Sequence, residues 1–167
     1  MEVRSVEAIV RTLNDAAVRY LIVGGLAVNA HGFERMTRDV DLVIQLEAGN
    51  IIKGLQALGK AGFLPRLPIT PEQFAETSLR ERWRKEKHML VLQLWGDLHR
   101  RTPVDVFVYE PFDFDAEMNR AGFQNVAPGL DAPIVSLHTL LEMKRSAGRP
   151  QDLADIEALQ LLDPYRK

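Results

Sequence analysis

Asp39 and Asp41 flank a single valine, and the residues that follow, Leu42-Val43-Ile44, are apolar. Arg38 to Leu46 reads as a strand, and in a strand residues two apart face the same side. Asp39 and Asp41 are then expected on one face, with Val40, Leu42 and Ile44 on the other, filling the core. Aspartate is depleted in strands, so two on one face call for a reason. Their Cα atoms would stand roughly 6–7 Å apart. Two unit charges at that range repel by about 2–3 kcal/mol at an effective dielectric of 20. A divalent cation reverses the sign of that energy. Hard ions such as magnesium, or manganese in its place, favour carboxylate oxygens and retain part of their water.

Asp105 repeats the pattern in Pro103-Val104-Asp105-Val106-Phe107-Val108, another apolar run of strand length. If that strand lies beside the first, three carboxylates converge. Carboxylate-bridged metal pairs are a known design for phosphoryl transfer. Asp39, Asp41 and Asp105 are therefore the candidate metal ligands and catalytic residues, with Asp105 placed to assist deprotonation of an incoming hydroxyl. Gly24-Gly25 closes the apolar run Tyr20 to Val23. Glycines at a strand-to-helix turn let a phosphate approach the backbone and the helix amino terminus. Gly24 and Gly25 are accordingly candidate nucleotide-binding residues.

The elements that must position these groups follow from periodicity. Val3 to Val18 carries one apolar stripe at helical spacing. Tyr20 to Val23 is a buried strand, Leu26 to His31 a short helix, and Glu47 to Lys60 a longer one. Three prolines break the chain between Phe63 and Glu72. Glu72 to Glu86 is read as one or two short surface helices. Met89 to Trp95 and Val104 to Tyr109 are strands. Short strands or a lobe are expected between Pro111 and Pro133. Ser136 caps a helix ending at Gly148, and Pro150 opens the last one. The expected fold class is α+β (mixed α/β), a small mixed sheet flanked by helices, with a carboxy-terminal helix pair. A single domain is expected over residues 1–167, with a core over about 1–110 and an appendage over about 111–167.

Composition narrows the function classes. The chain has 21 Lys plus Arg and 23 Asp plus Glu, a formal charge of -2. That balance argues against a polyanion binder held by bulk electrostatics. There is no cysteine, which excludes disulfides and thiolate zinc sites. Charges within Met1-Glu2-Val3-Arg4 do not suit a signal peptide. Tyr20 to Val28, the longest apolar stretch, is far too short to span a bilayer. No membrane partner and a cytoplasmic location are expected. The histidines have no metal-ligand spacing. The basic run Arg80 to Lys87 reads first as a solvated helix face and second as a patch for RNA or a partner.

The strings Tyr20-Leu-Ile-Val-Gly-Gly-Leu-Ala-Val-Asn-Ala-His-Gly and Arg35-Met-Thr-Arg-Asp-Val-Asp-Leu-Val-Ile resemble the nucleotidyltransferase superfamily with the DNA polymerase beta-like fold. Leu141-Glu-Met-Lys144 and Ala147-Gly-Arg149-Pro-Gln-Asp152-Leu-Ala-Asp155 are similar to its small prokaryotic members, the minimal and abortive-infection toxin groups. The resemblance implies transfer of a nucleoside monophosphate from an NTP to a hydroxyl on a tRNA, a protein or a small molecule, with Mg2+ or Mn2+. It implies nucleotide contacts from Arg38, Lys144 and Arg149. An ordinary helix pair with an Arg149–Asp152 ion pair is the competing account of the last two. Leu26 departs from the family, which carries Ser or Thr at or next to the second glycine. That departure supports a rival expectation: a catalytically inactive relative that binds a helical partner in a toxin–antitoxin type system.

Overall fold

In the computed structural model, residues 1–162 are described. The last five positions of the expected appendage lie outside them. One sheet of seven strands carries the fold, in the order β3-β4-β5-β2-β1-β7-β6. Its strands are β1 (Tyr20–Val23), β2 (Val40–Ile44), β3 (Leu64–Pro65), β4 (Val91–Trp95), β5 (Val104–Phe107), β6 (Gly122–Ala127) and β7 (Leu130–Ile134). β1 pairs antiparallel with β2 and parallel with β7, and β2 pairs parallel with β5. The helices are α1 (Val3–Asp15), α2 (Gly24–Ala30), α3 (Ala48–Lys60), α4 (Pro71–Ala75), α5 (Thr77–Lys87), α6 (Phe114–Met118), α7 (Leu137–Ala147) and α8 (Pro150–Leu162). This is the expected α+β architecture.

Asp41 apart, β1 and β2 are apolar: all four residues of β1 are buried, as are Val40, Leu42, Val43 and Ile44 of β2. Burial on both faces explains why their sequences are continuous apolar runs rather than alternating ones. An aspartate in such a strand is conspicuous for the same reason.

Several boundaries differ from expectation, each for a local reason. Asp39 is not inside the second strand; it sits at a bend one residue before β2. The short helix begins at Gly24 instead of Leu26, so the glycine pair forms its first turn. The segment expected as an appendage continues the sheet, because β7 adds to β1 and β6 to β7. Arg80 does not belong to a solvated face. It is buried, donating to the Phe74 carbonyl and lying near the Phe74 ring. The Ser136 cap is as expected, with its hydroxyl accepting from the Thr139 N–H. Gly148 ends α7 in the left-handed conformation at φ +61°, where glycine avoids the Cβ penalty.

Candidate active site

The β2–β5 register places Asp41 directly beside Asp105. On the other side of β2, Asp41 lies opposite Val23, the last residue of β1. Two residues that the sequence separates by more than sixty positions thus share one end of the central strands with the glycine turn. Asp39, Asp41 and Asp105 are all partly exposed.

The glycine turn and the aspartates are sterically interlocked. Gly24 has φ +63°, and a Cβ there would stand 1.8 Å from Asp41 Oδ2. A Cβ on Gly25 would stand 2.4 Å from Thr37 Oγ1 and 3.3 Å from Arg35 Nη2. The glycine pair is therefore the surface on which the Asp41 carboxylate and the Thr37 hydroxyl rest. The Gly25 N–H is close enough to lower the Asp41 carboxyl.

The charges show how little the site compensates itself. Asp41 is raised from 3.8 to about 7. Burial is the largest cause, followed by the neighbouring charges of Asp39 and Asp105; the Gly25 N–H and the Arg149 charge oppose them. Burial also raises Asp105, and Asp39 adds to it, while a hydrogen bond from Gln93 and the charge of Arg66 pull it down. Gln93 Nε2 donates to Asp105 Oδ1 at 2.9 Å. Thr37 Oγ1 makes a long contact of 3.4 Å with Asp39 Oδ1.

These donors fit a hard divalent cation in chemistry and in charge. Hard oxygens are what magnesium and manganese take, and carboxylates raised by burial and by their own kind are not fully offset by Arg149 and Arg66. The aspartates do not close a cage: among the described residues no three or more His, Asp or Glu side chains already surround one ion position. They line an open edge.

The remaining expected site residues divide. Arg38 is exposed. Arg149 has a side chain 77% exposed and pairs with Asp152 at 2.8 Å, and its charge reaches both Asp41 and Asp39. Lys144 is placed differently from expectation. It is 5% exposed, with its ammonium 3.1 Å from Asp152 and 2.7 Å from Asp155. A lysine spent on two buried carboxylates is part of the helix packing, not of the cleft surface. The Arg149–Asp152 pair of the competing account is present as well.

Sequence reasoning missed Thr37, Gln93 and Arg66. Gln93 had a readable signal, as a polar residue in the apolar run Val91 to Leu94 that pairs with Asp105 in register. Arg66 had none, since β3 is only two residues long. A cavity of about 660 Å³ is lined by Ile22, Leu26, Ala30, Met36 and Ile134 among others, and by none of the three aspartates. Ile22 is out of phase with Val23, which pairs with Asp41, so this cavity belongs to the other side of β1.

The sequence matches no family model and no curated protein. Solved structures do match. The fold is similar to that of a lincosamide antibiotic adenylyltransferase, LnuA, with lincomycin bound, at TM-score 0.60 and 15% identity, over 94% of this chain and 95% of that one. An antigenic nucleotidyltransferase-like protein from Paracoccidioides brasiliensis matches at TM-score 0.55 and 20% identity, over 96% of this chain and 76% of that one. A Thermotoga maritima protein described as a nucleotidyltransferase by assignment matches at 0.56 and 14%, over 98% and 92%. The fold of this chain is the nucleotidyltransferase fold. Among the described residues, no helix is long and apolar enough to cross a membrane.

Proposed function

We propose that the protein transfers a nucleoside monophosphate from an NTP to a hydroxyl-bearing acceptor. The observation that carries this reading is a set of three neighbouring aspartates beside the Gly24-Gly25 turn, of which Asp41 and Asp105 are raised by burial and by neighbouring carboxylates beyond what Arg149 and Arg66 offset. The nucleotidyltransferase fold supports it. The lincomycin bound to one structural neighbour favours a small molecule among the three acceptor classes.

Asp39, Asp41 and Asp105 would hold Mg2+ or Mn2+. When bound there, such an ion would supply charge neutralisation to the triphosphate and to the departing pyrophosphate. Arg149 and Arg38 bind the nucleotide's phosphates from the open side. The Thr37 hydroxyl, resting on Gly25, takes the place of the hydroxyl that Leu26 lacks. Asp105 accepts the proton of the acceptor hydroxyl as the acceptor oxygen bonds to the α-phosphorus and the bond to pyrophosphate breaks. Its raised affinity for protons suits that role. Gln93 holds one oxygen of Asp105 and leaves the other for the acceptor.

The test is incubation with α-labelled NTPs, magnesium or manganese, and separately RNA, protein and small-molecule fractions of a lysate. Label should move to one fraction, and Asp41→Asn should abolish it. Leu26 motivates the second reading, an inactive relative that binds a helical partner. No NTP binding, together with capture of one helical protein at fixed stoichiometry, would favour it.

A further inference from the structure

Five charged side chains alternate in sign along a continuous path from the loop before β2 to the start of α8. Arg35 grips Asp155 through Nε and Nη2 at 2.6 and 2.8 Å. Asp155 contacts Lys144 at 2.7 Å, Lys144 contacts Asp152 at 3.1 Å, and Asp152 contacts Arg149 at 2.8 Å. Gln151 adds a bond to Asp155 at 3.0 Å. Asp155 has 0% exposure and Asp152 3%.

Both ends of this path return to the same place. At one end, the Arg35 guanidinium lies against Gly25 and its backbone is bracketed by Asn29, which donates to the Arg35 carbonyl and accepts from its N–H. Arg35 also donates to the Met36 carbonyl. It therefore fixes the short segment carrying Thr37, Arg38 and Asp39. At the other end, Asp152 accepts from both Nε and the backbone N–H of Arg149. A guanidinium that would otherwise sweep through solvent is tethered where its charge reaches Asp39 and Asp41.

We infer that Lys144, Asp152, Asp155 and Arg35 are positioning residues. They use the α7–α8 helix pair to set the geometry of the Asp39 segment and of Arg149 together. The inference rests on the nucleotidyltransferase reading for its purpose but not for its geometry. A buried ionic array contributes less to stability than apolar packing of the same volume, so its use lies in fixing one arrangement. The bidentate fork at Arg35 is suited to that, because it fixes orientation as well as distance.

The test compares Asp155→Asn and the milder Arg35→Lys, which keeps the charge and loses the fork, with Leu159→Ala. Leu159 is a buried residue of α8 outside the array. Two quantities are read at a temperature where all variants are folded: amide exchange of residues 33–39, and affinity for a non-hydrolysable ATP analogue with Mn2+. The array variants should speed exchange in that segment and weaken nucleotide binding about 10-fold or more, the scale for residues that orient a site from behind. Leu159→Ala should leave both nearly unchanged. Should Asp155→Asn not fold, Arg35→Lys decides. Exchange and affinity in the array variants equal to those of Leu159→Ala would overturn the inference. If the wild-type chain binds no nucleotide, the enzymatic reading fails and the exchange comparison still decides whether the array fixes the segment.

Discussion

Asp41 and Asp155 are the same residue type, less than fully solvated in one chain, and the protein treats them in opposite ways. Burial raises both. At Asp155 that push is outweighed by hydrogen bonds from Arg35, Lys144 and Gln151 and by the Lys144 charge, so its carboxyl lies below the ordinary range. Asp152 is held low likewise, by Arg149 and Lys144. At Asp41 the neighbours are two more carboxylates, and the carboxyl rises to about 7. The helix-pair cluster carries its own cations. The strand-end cluster is only partly compensated, since the charges of Arg149 and Arg66 fall short of offsetting burial and repulsion, and it is the one beside the glycine turn. The chain neutralises buried aspartates more fully in one region than in the other, and the proposed cation would close that difference.

The comparison breaks most visibly at Asp155. Asp155→Asn leaves Lys144 and Arg35 short of a buried counter-charge and should cost about 3–5 kcal/mol of stability, read by urea unfolding at neutral pH. Asp41→Asn should do the reverse. It removes a charge that the folded state holds unfavourably, so the protein should gain on the order of 2 kcal/mol above pH 7 while losing transfer altogether.

The pH dependences of the two clusters should oppose each other. The stability owed to Asp152 and Asp155 is complete above their unfolded value of 3.8 and is lost as pH falls through their lower folded values. Asp41 is raised, so its folded form favours the proton. Its destabilising contribution is absent well below 3.8, grows as pH rises, and is complete only above about 7. Metal-free protein should therefore lose stability between those values, and Mn2+ should restore it at pH 8; unfolding curves across pH with and without the ion check both signs. The smallest effect is expected at Thr37. Thr37→Val, which keeps the shape and removes the hydroxyl, should weaken nucleotide binding by about 1 kcal/mol with little change in stability, measured by titration calorimetry.

The strand-end cluster was largely legible in the sequence, because aspartates in apolar runs are conspicuous. The strand register that brings Asp41 beside Asp105 was a conditional expectation, since pairing is set by residues far apart. The placement of Asp39 just outside β2 was not legible, because a strand end follows backbone hydrogen bonding, not side-chain pattern. The helix-pair cluster was harder still. Lys144, Asp152 and Asp155 look like ordinary surface charges on amphipathic helices, and what pairs them, each other across the helix pair and Arg35, 120 positions from Asp155, is set by the tertiary fold. Likewise β6 is mostly exposed, and although four of the five residues of β7 are buried, nothing local said that β7 would add to β1.

The claim that the partly compensated aspartates exist to hold a cation with a nucleotide is tested most directly by calorimetric titration of metal-free protein with Mn2+ and a non-hydrolysable ATP analogue, wild type against Asp41→Asn. Saturable binding by the wild type, lost in the folded variant, is the predicted result. Equal affinity in the two proteins, or none in the wild type, would contradict it.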